Sequence, residues 1–328
     1  MDQNLPNNNQ NQNTENKDDN GNSHSSIDLN HNLNPIISPI SAAFIGLFGG
    51  FFLYQIVGGV LTLLVFGLEI DKAPVNGLRL MTMAGQILFI LLPALLFSKW
   101  FYEDVTTVIR FKSSRWIEIG LFVVGLIILI PLLENFSVIQ NYLIDKLAAS
   151  STTVNSVKNI FDSLNDRLES TYSSLITAHS ISEKLLVILV VAAVPAVCEE
   201  IMFRGFIQKS FELKLKPFWA ILITSIFFGL YHFSPYGLLP LIILGLYFGF
   251  AAYKSESIFT SMSLHFLNNF SAIVVFFIAG NGQLLDSVPS DKAVDLKSAI
   301  TIFVSLLLLF GGMLYVIVKF YQEKARNR

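Results

Sequence analysis

Residues 184–207, KLLVILVVAAVPAVCEEIMFRGFI, decide how the rest of the chain is read. The run is apolar and long enough to cross the ~30 Å hydrocarbon core of a bilayer, which takes about 20 helical residues. Yet it carries Glu199, Glu200 and Arg204. An ionisable group at that depth costs roughly 2.5 kcal/mol or more even on lenient insertion scales, so it must find a partner or face a wet cavity. Two other apolar stretches carry polar groups of the same kind, Phe228-x-x-x-His232 and His265-x-x-x-Asn269. These three motifs include the residue types that activate water, and they point to hydrolysis inside a membrane.

Composition supports the membrane reading. The 328-residue chain is 53% hydrophobic and only 14% charged, against about 25% charged in an average soluble domain. An integral membrane protein in a lipid bilayer is therefore expected. The net charge of -2 gives no sign of a nucleic-acid partner. The single cysteine, Cys198, rules out an intrachain disulfide and reads as a small core residue. No signal peptide is expected, because the first apolar stretch starts only after Asn34 and lacks a basic region before it.

The expected fold class is all-α, a polytopic transmembrane helical bundle of about eight spans. Apolar runs recur near 40–66, 79–99, 115–134, 184–207, 217–234, 237–253, 256–279 and 298–320. In the first, Gly49-Gly50 and Gly58-Gly59 are candidate weak points. Five regions follow: an Asn-rich, disordered cytoplasmic tail over 1–34, N-terminal transmembrane helices over 35–134, an amphipathic polar segment over 135–183, a catalytic helical core over 184–280, and a last loop, span and basic tail over 281–328. Lys99, Arg110, Lys112, Arg115, Lys209, Lys214, Lys216 and Lys254 fall in alternate loops, and Lys319, Lys324 and Arg326 close the chain. The positive-inside rule then puts both termini in the cytoplasm.

Helix geometry constrains the motifs, at about 100° per residue. Glu200 and Arg204 are four apart on one face, an ion-pair spacing. Glu199 points elsewhere, so the simplest division pairs Glu200 with Arg204 and leaves Glu199 free to act. His265 and Asn269 share a face, and Phe228 sits one turn below His232, where it can pack against the ring. The turn-like residues Lys214, Lys216 and Pro217 lie midway between Glu199 and His232, so an antiparallel pair would bring these two to one height. Taken singly, each group has a bland reading: a structural ion pair, an interfacial histidine, or polar glue between helices. Their order on separate spans favours a shared site.

The three motifs, Glu199-Glu200-x-x-x-Arg204, Phe228-x-x-x-His232 and His265-x-x-x-Asn269, resemble those of the CPBP family, the CAAX protease and bacteriocin-processing (Abi) proteins. The resemblance covers roughly residues 180–280 and departs from none of the motif letters. It implies an intramembrane endopeptidase related to type II CAAX prenyl endopeptidases, acting on a membrane-embedded or membrane-associated peptide or protein. It implies that Glu199 and His232 activate the attacking water, and that His265 and Asn269 stabilise the oxyanion. Glu200, Arg204 and Phe228 would support the site. A bacterial cytoplasmic membrane is the expected location, and prenylated substrates would then be absent.

No cofactor is favoured. A zinc version would use Glu199, His232 and His265, a common ligand set, but the HExxH signature of metalloproteases and a cysteine cluster are both missing. Serine and aspartyl chemistry lack a GxSG-like motif and an aspartate pair within the spans. The rival from another class is a non-catalytic immunity factor, scaffold or transporter, since buried Glu, Arg and His also build ion paths. The sequence leaves the substrate and the oligomeric state open.

Overall fold

The structure is a computed structural model that describes residues 33, 35–279 and 296–327. The expected tail over 1–34, apart from Leu33, and the start of the last loop lie outside the described residues. Among those described there is no strand. Nine helices of 15 residues or more account for nearly all of the ordered backbone: α1 Pro39–Phe66, α2 Val75–Phe101, α3 Trp116–Ser150, α4 Thr152–Ile176, α5 Ile181–Glu212, α6 Pro217–Tyr231, α7 Leu238–Ser255, α8 Ile258–Ala279 and α9 Leu296–Arg326. Single short turns join some of them.

Seven of these helices are long and apolar enough to cross a membrane. The eighth apolar run is shorter than its sequence suggests: α6 has 15 residues and rises about 22 Å. It stops at Tyr231 because the backbone turns at His232, and Phe233 takes a left-handed φ of 52°. The boundary expected at 134 is also absent. α3 runs unbroken for 35 residues, about 52 Å, so the first third or so of the polar 135–183 segment extends a span, and α4 is a separate amphipathic helix.

Two large apolar cores, with a smaller third made by Val187 and Ala192 of α5 and Ile273 of α8, hold the bundle together. One gathers Leu47, Ile90 and Ala94 of α1 and α2 against Phe203, Phe206 and Ile207 of α5 and Phe228 of α6. The other joins Phe122 and Leu129 of α3 to Tyr247 and Phe248 of α7 and Ile317 of α9. α5 packs against α1 and α2 on one side and α8 on another. α6 and α7 pack closely, and Gly245 permits it: a Cβ there would lie 3.1 Å from Ser225 and 3.3 Å from Phe228. Large apolar side chains such as Leu64, Leu88, Ile127 and Leu308 face outward, as lipid-facing surfaces require.

Candidate active site

The helix that carries the first motif is not regular. Wide π turns at Ile188–Ala193 and Ile201–Ile207 bracket the α-helical stretch Val194–Glu200. Pro195 sits at the start of that stretch and has no N–H to give the Val191 carbonyl four residues back. That carbonyl accepts Nδ2 of Asn269 at 3.0 Å. A proline on α5 thus leaves open the acceptor that orients an amide on α8. Two further π turns occur, Phe52–Val57 in α1 and Ile87–Leu91 in α2. All four supply wall residues to one cavity: Tyr54 and Gln55, Ile90, Val190 and Val191, and Phe203. π turns concentrate at functional sites because they rephase side chains within a helix.

The cavity measures about 400 Å³. Glu199, His232, His265 and Asn269 all line it, so residues from all three motifs meet in one place. α4 closes one side with Leu168, Tyr172 and Leu175. Its C-terminal end is held by Arg79 of α2, whose Nε donates to the Leu175 carbonyl at 2.9 Å and whose Nη2 donates to that of Thr177 at 2.5 Å. Farther along, the Tyr236 hydroxyl donates to Asp162 at 2.5 Å. Burial first, and then the Asp162 carboxylate, push that phenol up to about 12, so it remains a donor. The amphipathic segment expected from sequence therefore forms part of the site wall.

Behind the cavity lies a buried, charge-paired polar cluster. Glu200 and Arg204 are fully buried, and Arg204 Nη1 donates to Glu200 Oε1 at 2.7 Å. The guanidinium also lies 4.2 Å from the Phe228 ring centre and 5.5 Å from that of Phe248, which spreads its charge over aromatic faces. Sequence spacing anticipated the ion pair. It did not anticipate the third member: His265 Nδ1 lies 2.9 Å from the same Glu200 oxygen. A carboxylate can only accept, so Nδ1 carries the proton, which leaves Nε2 for the cavity.

The cavity-facing groups are less encumbered. Glu199 receives one side-chain hydrogen bond, from Gln86 Nε2 to Oε1 at 3.2 Å, while its Oε2 has no protein partner. The His232 ring stands edge-on to Phe228, with centroids 4.8 Å apart, and Nδ1 meets the Phe228 carbonyl at 2.7 Å. The acceptor carbonyl fixes the tautomer and leaves a lone pair on Nε2. Asn268 donates to Asn269 Oδ1 at 3.1 Å. With Nδ2 on Val191, the Asn269 amide is oriented and keeps one N–H to offer.

Among the described residues no three His, Cys, Asp or Glu side chains gather closely enough to hold an ion. The zinc set considered from sequence, Glu199, His232 and His265, lines the cavity without forming such a group. Sequence reasoning missed Gln86, Tyr54 and the α4 residues. A lone glutamine inside an apolar span was the available signal for the first.

Residues 181–271 match the family model described as Type II CAAX prenyl endopeptidase Rce1-like. The matched stretch runs from the start of α5 through Asn269 and takes in all three motifs. No curated protein and no solved structure matches the chain.

Proposed function

Taking residues 181–271 as a domain of the CAAX protease family, we propose that this chain is an intramembrane endopeptidase of glutamate type. The observation that carries the reading is the shared cavity: one carboxylate, two imidazoles and one amide from three apolar helices line it together. The Glu199 carboxylate and His232 Nε2 hold a water between them. The water oxygen attacks the scissile carbonyl carbon as its proton passes to Glu199, the general base. The resulting oxyanion takes the free N–H of Asn269, a contribution typically worth about 3 kcal/mol. His265 assists when its Nε2 also carries a proton, with Glu200 as counterion. The proton on Glu199 then moves to the leaving amine as the C–N bond breaks.

The substrate is a peptide or protein in or at the bilayer, because most of the cavity wall comes from membrane-spanning helices. Both termini lie in the cytoplasm, following the distribution of Lys and Arg. The test compares protein termini in membranes from cells carrying the wild type or Glu199→Ala. At least one terminus present only with the wild type is expected. Identical sets would remove the peptidase reading and leave a scaffold or transporter.

A further inference from the structure

One side chain that touches Glu199 comes from outside the family-matched region. Gln86 ends the regular part of α2, just before the π turn at Ile87–Leu91. Thr82 one turn before it and Ile90 one turn after it share its cavity face. Gln86 is buried, with 6% of its surface exposed. A buried amide in a membrane helix is costly unless it is used, and its Nε2 donates to Glu199 Oε1 at 3.2 Å.

Resting on the proposed peptidase mechanism, we infer that Gln86 is a positioning residue for the general base. By donating to Oε1 it fixes the plane of the carboxylate and leaves Oε2 without a protein partner. The choice of an amide matters. A cation at this place would bind Glu199 as Arg204 binds Glu200 and hold the carboxylate in a closed ion pair. A neutral donor orients it and leaves it free to accept and return a proton. The N-terminal helices thus contribute to the chemistry as well as to the packing.

The test uses the full chain, purified, with a quenched fluorescent peptide spanning the terminus found in the Glu199→Ala comparison. Gln86→Met keeps the length and removes the donor. It should lower kcat about tenfold or more, the usual scale of one hydrogen bond to a charged group, with KM within about twofold because substrate contacts are intact. Gln86→His restores an N–H at similar reach and should recover about a third or more of kcat. Thermal unfolding of each variant separates positioning from folding: a purely structural role would lower Tm and show no recovery with histidine. If Glu199→Ala is inactive while Gln86→Met keeps wild-type kcat, this inference alone falls. If Glu199→Ala cleaves normally, the base assignment falls and this inference goes with it.

Discussion

Glu199 and Glu200 are neighbours in the chain and occupy opposite kinds of surroundings. Glu200 is fully buried and shares one oxygen between Arg204 and His265. Glu199 is half-buried at the cavity wall, with one neutral donor on one oxygen and no protein partner on the other. A single helical step, about 100° of rotation, separates a carboxylate committed to structure from one left for chemistry. The difference teaches that a buried charge is informative only once its partners are counted. In the cluster around Arg204 the opposite charges are matched, whereas at the cavity Glu199 meets only a neutral donor.

The two carboxylates should therefore fail differently. Glu200→Ala strands Arg204 without its counterion, and loss of one partner of a buried pair costs about 3–5 kcal/mol. Thermal unfolding in detergent should show a large fall in Tm. Glu199→Ala should change stability by less than about 1 kcal/mol, yet lower cleavage about 10²–10⁴-fold, the range for general base catalysis. If both variants lose stability equally, the contrast between the two sites is wrong.

Asn269 sharpens the same contrast on the cavity side. Asn269→Ala should reduce kcat about 100-fold with little change in KM. Pro195→Ala restores an N–H beneath Val191 and makes it compete with Asn269, so a smaller loss, about three- to tenfold, is expected. An unchanged kcat for Pro195→Ala would mean that the proline does not set the amide. On the packing side, Gly245→Val forces a side chain against Ser225 and Phe228 and should cost about 1–3 kcal/mol, read from the unfolding midpoint.

Asp104, outside both regions, provides the smallest effect and a control. It caps the short helix Val105–Val108, and the hydroxyls of Thr106 and Thr107 with the Thr107 N–H hold its carboxyl down to about 2. A depressed folded-state value stabilises above the unfolded value near 3.9 and loses that contribution as pH falls toward 2. Asp104→Ala should cost about 1 kcal/mol at neutral pH, and the gap from wild type should close in acid. Cleavage should be unaffected throughout.

Much of this arrangement was legible in the sequence, for definite reasons. Long apolar runs marked the spans, and the four-residue spacing of Glu200 and Arg204 marked their pair. Lys214 to Pro217 located the reversal that sets α5 against α6. What escaped were features without a local signature. Nothing in Phe52–Val57 or Ile201–Ile207 distinguishes a π turn from an α turn. The unbroken course of α3 past 134 escaped because the polar residues there exclude the bilayer and not the helix. The bond from His265 to Glu200 joins residues 65 positions apart, and that from Gln86 to Glu199 spans 113. Such pairings depend on how helices meet.

The wide turns have a consequence that substitutions would never expose. Each amounts to one surplus residue threaded into a helix, and the surplus sets the angular phase of everything downstream. Excising one residue between Ile188 and Ala193 would swing the Glu199 carboxylate by about 100°, out of the cavity and toward a neighbouring helix, with every side chain of the site still present. Spacer length is in this sense part of the apparatus, and deletion scanning is the genetic probe that would reveal it.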